Sequence, residues 1–288
     1  MTGRAEDAAD ATSGATSGAT NPAPNGASAS TPAAATDPTW TDRDELPYRI
    51  VRPYRVRFEE ATAAETVRTA VYLAWLADVA WQHTAALGHD RAWYSSRSLF
   101  WLVRAIRLDV LAPIPTYASV LVSTRVLGYR RVAARRECEV RDLDGRPLAL
   151  GHVDWVLVDE RGIPTRVPPD FAQYVRGESA PFDLYKAALP PTPTDAFERR
   201  FQVRRRDLDP LDHVNNSVYV DYLEEALAAA GQGELIAATP RRYVLDFAAS
   251  AAFDDLLTGR AWPHYGGWAY RLSRADGSEL FRATVGSL

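Results

Sequence analysis

The sequence predicts an α+β protein made of two tandem units, each a long antiparallel sheet wrapped around one central helix. Three observations predict it. First, the chain repeats itself: "YRVRFEEATAAETVRTAVYLAWLADVA" from Tyr54 aligns without a gap on "FQVRRRDLDPLDHVNNSVYVDYLEEAL" from Phe201, an offset of 147 residues. Val56 falls on Val203, Arg57 on Arg204, Val67 on Val214, Val71 on Val218, Tyr72 on Tyr219 and Leu76 on Leu223. These are mostly the apolar positions that a shared buried pattern keeps. Second, each copy holds one helical stretch. Third, only strand signals follow that stretch, which gives a layer of helix on sheet.

Taken in order, the chain opens on Ala, Thr, Ser, Gly and Pro. "ADATSGATSGATNPAPNGASASTPAAATDP" has no large apolar side chain, so it cannot bury enough surface to offset the entropy of ordering. A disordered tail is expected over 1–46. It lacks the apolar core of a secretory signal, and Glu6, Asp7 and Asp10 do not suit an acid-poor transit peptide. The first unit is expected over 47–170: a short alternating strand, a polar turn, a helix over about 64–87, and strands in "SLFWLVRAIRLDVL", "SVLVSTRVLGYR", "RVAARRECEVRD" and "RPLALGHVDWVLVD". "DLDG" before Arg146 is a hairpin turn. Prolines in "PTRVPPD" and "LPPTPTD" mark a linker, set at 171–196, with a short helix near "FAQYV". The second unit, 197–288, repeats the order. Its helix, over about 217–230, has an apolar stripe of Val218, Tyr222, Leu223, Ala226 and Leu227, with Asp221, Glu224 and Glu225 off it.

Bulk properties exclude several classes. A formal charge of −4 and a pI near 5.8 argue against general nucleic-acid binding. One cysteine, Cys138, gives no internal disulfide and fits a reducing, cytoplasmic setting. No apolar run reaches the roughly 18 residues of a membrane helix. There is no G-x-S-x-G elbow, no Walker or dinucleotide glycine motif, and no metal-ligand spacing among His83, His89, His152 and His264. No metal and no cofactor are expected. Arginine pairs such as Arg130-Arg131, Arg135-Arg136 and Arg199-Arg200 read singly as solvated surface, and together as a rim on which an acidic carrier protein would dock.

One cluster stands out. "DLDPLDHVNN", Asp207 to Asn216, places three aspartates, a histidine and two asparagines directly before the second helix. At the repeat offset Asp209 falls on Thr62, His213 on Thr66, Asn215 on Arg68 and Asn216 on Thr69. The first copy builds its turn without the acid or the histidine, so the polar set points to chemistry in the second. Capping is the ordinary alternative for Asn215 and Asn216. The chemical reading is thioester hydrolysis. Unpaired N–H groups at a helix start hold the oxyanion, and Asp209 takes a proton from water or attacks directly. His213 orients Asp209 or the water, and Asn215 binds the thioester or the water. Core packing is the ordinary reading of Trp75, Trp81, Phe100 and Trp101. Trp75 and Trp101 are the candidates to line an acyl tunnel, with Asn216 as a further substrate contact.

At these residues the sequence resembles a known family. "DLDPLDHVNNSVYVDYLEEA" looks like the D-x-x-x-HVNN-x-x-Y-x-x-x-x-E signature of hot-dog thioesterases, and strand, helix and four-strand meander is the hot-dog order. Residues from about 47 to 288 resemble acyl–acyl carrier protein thioesterases of the plant and bacterial type. "RSLFWLVRAIRLDVLAPIPTYASVLVSTRV" is similar to that family's N-terminal unit. The resemblance implies a double hot-dog whose second unit is catalytic and whose first shapes the acyl pocket. It also implies acyl carrier protein as the partner that brings the substrate, in fatty acid biosynthesis. Two positions depart from the plant-type pattern. Leu211 stands where that type has Asn, and "YVLDFAASA" offers Ser250 and Ala251 where it has Glu-Cys. Three alternatives stay open: an acyl-coenzyme A thioesterase, a hydratase of the same fold, and a non-catalytic acyl- or carrier-binding protein. A monomer of paired hot-dogs and a homodimer are both compatible with the repeat.

Overall fold

The computed structural model describes residues 41–177, 179 and 181–288. Most of the expected tail lies outside them. Its last residues, 41–46, make specific contacts: Arg49 donates to Thr41 O at 3.0 Å, and Asp44 Oδ1 accepts from Val51 N at 2.9 Å and Arg52 at 2.8 Å.

The first unit contains β1 (Arg49–Arg55), α1 (Thr69–Ala86), α2 (Arg91–Ser95), β2 (Leu99–Val110), β3 (Ser119–Arg130), β4 (Ala133–Arg141) and β5 (Pro147–Asp159). The second contains β6 (Phe197–Gln202), α3 (Asn216–Ala229), α4 (Gly233–Ala237), β7 (Arg241–Phe247), β8 (Leu256–His264), β9 (Gly267–Arg274) and β10 (Glu279–Ser287). All ten strands form one antiparallel sheet ordered β1-β3-β4-β5-β2-β7-β10-β9-β8-β6. Read outward from the middle, β2-β5-β4-β3-β1 matches β7-β10-β9-β8-β6 strand for strand. This is the double hot-dog.

The repeat holds in local detail. A 3₁₀ turn at Phe58–Glu60 corresponds to one at Arg205–Asp207. In each, the last acid folds back on the backbone: Glu60 accepts from Arg57 N at 2.8 Å and Asp207 from Arg204 N at 2.8 Å. The helix expected from about residue 64 starts at Thr69. Ala63 and Ala64 are good helix formers, but Val67 N–H is bound to Ile114 O at 2.9 Å and Glu65 is held at φ 56°. Cross-chain pairing overrides propensity there.

The two long helices pack against the sheet and against each other, α1 on β1 and β3 and α3 on β6 and β8. α1 buries most of its surface, with Tyr72, Leu76 and Val79 at most 1% exposed, and leaves one exposed stripe of Ala74, Asp78, Trp81 and Ala85. Gly151 on β5 lets it come close, since a Cβ there would lie 2.7 Å from Leu76 Cδ1. The 171–196 segment lies against both units. Phe171 is buried, Val175 bridges Val126, Asp154 accepts from Tyr185 N at 2.8 Å, and Arg271 donates to Thr192 at 2.6 Å.

The units join where β2 pairs with β7, from Ala105↔Asp246 to Val110↔Arg241. Two carboxylates lock this seam. Asp109 accepts from Arg242 at 2.5 and 2.7 Å. Asp246, with no exposed surface, binds Arg104 from across the seam and Arg282 at 2.9 Å. Asp246→Ala takes the shared carboxylate from two cations that are only 30% and 29% exposed, leaving Arg104 the Phe247 carbonyl and Arg282 the Glu279 carboxylate at 3.5 Å. It is expected to cost about 2–4 kcal/mol, less than a fully buried pair, in urea unfolding at an unchanged m-value.

Candidate active site

The cluster before α3 folds as a tight turn. Asp209 N donates to His213 O at 2.8 Å and Asp212 N to Asp209 O at 3.0 Å, with Asp212 at φ 60°. Aspartate tolerates that left-handed conformation. Asp209 Oδ1 accepts from Leu211 N at 2.8 Å, an Asx turn. Leu208 bridges Val214, whose N–H reaches Ala251 O at 3.0 Å. Asp207 is structural, accepting from Tyr222 OH at 2.9 Å as well as from Arg204 N.

The first copy folds the same backbone turn. Thr62 N donates to Thr66 O at 2.7 Å, Glu65 N to Thr62 O at 3.0 Å, and Ala61 bridges Val67. Thr62 Oγ1 accepts from Ala64 N at 3.2 Å, the counterpart of the Asp209 bond to Leu211. A hydroxyl therefore suffices for the turn, and the carboxylate of Asp209 is surplus to it. Asn215 takes the ordinary role as well: its Oδ1 caps α3, accepting from Ser217 N at 2.9 Å and Ser217 Oγ at 2.8 Å. Its side-chain NH₂ is left over. Val218 N is bound to Asn215 O, which leaves Asn216 N–H as the first free donor of the helix among the described residues. His213 is exposed, and its ring makes no hydrogen bond among the described residues. The turn sits at the surface. Asp209, His213 and Asn215 line neither the arginine-rimmed groove beside α3 nor the slot between α1 and the sheet of the first unit.

The start of α1, related by the repeat to the start of α3, is closed. Arg241 donates to Thr69 Oγ1 at 3.1 Å and to Tyr243 Oη at 2.9 Å, and Tyr243 OH donates to Glu224 at 2.6 Å. Burial raises the Glu224 and Asp221 carboxyls above their ordinary range. At the repeat offset Glu224 falls on Ala77 and Asp221 on Ala74. The side chains that fill one helix start are thus replaced by methyl groups at the related positions on α1. The periodicity of α3 hides this network, because it puts Glu224 off the apolar stripe, as surface.

The aromatic candidates separate. Trp75 is buried against Tyr54 and Tyr72 at 5.6 and 5.9 Å. Trp101 lines a different slot in the first unit, its Nε1–H donating to Tyr94 OH at 3.0 Å. That slot runs between α1 (Ala80, Trp81, Thr84) and the sheet (Tyr129, Arg136, Trp155). Arg136, expected as half of a surface arginine pair, alternates inward on β4 and is 6% exposed. It donates to His83 Nδ1 at 2.9 Å, and His83 Nε2 lies 3.1 Å from Pro47 O, so His83 is a neutral ring with its proton on Nε2.

The relationship to known proteins agrees with this geometry. Residues 47–175 match the acyl-ACP thioesterase N-terminal domain and 192–258 the acyl-ACP thioesterase C-terminal domain, about two thirds of the chain together. The chain belongs to the acyl-ACP thioesterase family. It is a hydrolase of fatty acyl thioesters. Among solved structures, an acyl-ACP thioesterase from Bacteroides thetaiotaomicron aligns at a TM-score of 0.70 and 16% identity, covering 82% of this chain and 96% of that one. A 12:0-ACP thioesterase from Umbellularia californica aligns at 0.70 and 19%, covering 83% and 96%. Both share the fold. No curated protein sequence matches. The stretch that departs from the plant-type pattern lies beside the turn: Ala251 O holds Val214 N, and Ala251 N donates to Tyr219 OH at 2.8 Å. Ser250 is exposed and offers no carboxylate.

Burial and the neighbouring Arg136 push the His83 imidazole down to about 3. An unfolded chain binds that proton near pH 6.5, so its share of stability is complete above about 6.5 and falls toward 3 at up to about 1.4 kcal/mol per unit. His83→Gln is expected to flatten the stability–pH slope over that window, read by urea unfolding at pH 7, 5.5 and 4.5.

Proposed function

We propose that the turn from Asp209 to Asn216 hydrolyses fatty acyl thioesters carried on acyl carrier protein. The single observation that carries this is the repeated turn. The same backbone closes in the first copy on Thr62 and Thr66, so Asp209 and His213 are not there to make the fold. The thioester carbonyl sits over the start of α3, where Asn216 N–H and the helix dipole stabilise the oxyanion. Asp209, by its free oxygen, takes the proton of the attacking water or attacks the carbonyl itself. His213 orients that carboxylate or the water, and the Asn215 NH₂ binds the carbonyl side. Water adds to the carbonyl carbon, the C–S bond breaks, the thiol leaves with a proton, and a fatty acid is released. With no glutamate at Ser250, the proton transfers fall on Asp209 and His213. The first unit holds the acyl chain, with Trp101 in its slot wall. Such a reaction belongs to cytoplasmic fatty acid synthesis.

Asp209→Asn keeps the Asx turn and removes the base. It is expected to lower kcat on acyl carrier protein thioesters by about 10²–10⁴-fold with an unchanged circular dichroism spectrum. Turnover equal to wild type would remove Asp209 from the mechanism.

The carrier docks, in this reading, on a groove of about 860 Å³ beside α3 whose wall carries Arg68, Arg199, Arg200, Arg204 and Arg206 together with Asp207, Asp221, Glu224 and Glu225. An acidic carrier gains encounter rate from such a rim. Arg200→Glu with Arg206→Glu is expected to raise KM for the carrier-bound substrate at least tenfold, with kcat and the KM for the coenzyme A thioester little changed. Equal effects on both would place the carrier elsewhere.

A further inference from the structure

The slot in the first unit has an unusual end. Arg136 is 94% removed from solvent, and among the described residues its one hydrogen-bond partner is the neutral His83. The groups that act on its charge are Tyr94, Tyr129 and Cys138, none of them a carboxylate. A guanidinium keeps its proton in proteins, so the cation stays and its burial is uncompensated. Beside it in the same wall, the Trp155 Nε1–H is buried with no acceptor. Both residues line a free space of about 30 Å³, enough for two or three atoms of a ligand or one or two waters. Most of the rest of the lining is apolar or aromatic, Ala80, Trp81, Val126, Ala134 and Phe171 among them, with Thr84 and the hydroxyls of Tyr94 and Tyr129 as further polar groups. An apolar passage that ends on an unpaired cation and an unpaired N–H suits an apolar chain that ends in a carboxylate.

We propose that this slot takes the far end of the acyl chain, and that Arg136 and Trp155 bind a carboxylate there. The preferred substrates are then ω-carboxyacyl thioesters, and the product is an α,ω-dicarboxylic acid. The proposal rests on the reading of the protein as an acyl thioester hydrolase whose first unit holds the chain. It adds the chemistry of the chain's end, which methyl-terminated fatty acyl groups lack. Arg136 recognises and does not touch the reacting atoms.

The test has a turnover arm and a binding arm. Length-matched acyl carrier protein thioesters ending in methyl and in carboxylate are compared for kcat/KM in the wild type, Arg136→Met and Trp155→Phe. The wild type is expected to prefer the carboxylate end at least tenfold. Arg136→Met should bring that ratio to one or below, and Trp155→Phe should cut it several-fold. Trp155→Phe removes the N–H with part of the indole ring and keeps the Arg136 cation, so it answers the question if Arg136→Met fails to fold. Calorimetric titration with free α,ω-dicarboxylic and monocarboxylic acids of the same length needs no turnover. Tighter binding of the diacid, lost in Arg136→Met, supports the slot even if the hydrolase reading fails. A wild-type preference for the methyl end, or equal binding in wild type and Arg136→Met, would overturn the proposal, leaving water as the occupant. Equal binding of mono- and diacids, lost together in Arg136→Met, would give the slot to the head group of a free fatty acid and overturn the substrate assignment.

Discussion

The rest of the structure depends on the pairing of β2 with β7. A sheet that ended at either strand would expose a row of unpaired backbone groups. Joining the two edges makes one ten-stranded sheet and brings two helix starts into a pseudo-symmetric relation. The seam is held by ion pairs of the same kind on both sides, a buried carboxylate with a half-buried arginine, Asp109 with Arg242 and Asp246 with Arg104. Both halves contribute to it, and the start of α1 faces side chains carried by the second unit.

Within that frame the two copies have diverged in opposite directions. The start of α1 is filled by Thr69, Arg241, Tyr243 and Glu224, a fully bonded buried network. The start of α3 carries an acid, a histidine and an uncommitted amide donor, opposite a helix with Ala74 and Ala77 at the related positions. One helix start is closed by packing and the other keeps its polar groups open, on one backbone.

Much of this was readable in the sequence. The gapless offset of 147 located β1, β6 and both turns, because periodicity of buried residues survives divergence. Thr69 as the start of α1 was not readable. It is set by Val67 pairing with Ile114, far along the chain. Asn215 reads equally as cap or ligand from sequence, and geometry shows that its oxygen is the cap. Arg136 was missed because it stands next to Arg135 and looks like a charged surface. Yet Ala134, Arg136, Cys138 and Val140 follow the period of two that puts them on one face, and an arginine in that series is a polar group pointing inward. The Glu224–Tyr243–Arg241 network joins residues from two elements and needs the fold to be seen.

On the proposed mechanism one chain has one active centre, at the start of α3. The most direct measurement is the stoichiometry of a non-hydrolysable acyl thioester analogue, titrated calorimetrically against the full chain. The account requires one analogue per chain, with binding weakened when His213 and Asn215 are both replaced by alanine. Two equivalent sites per chain, or one site indifferent to those two replacements, would contradict it.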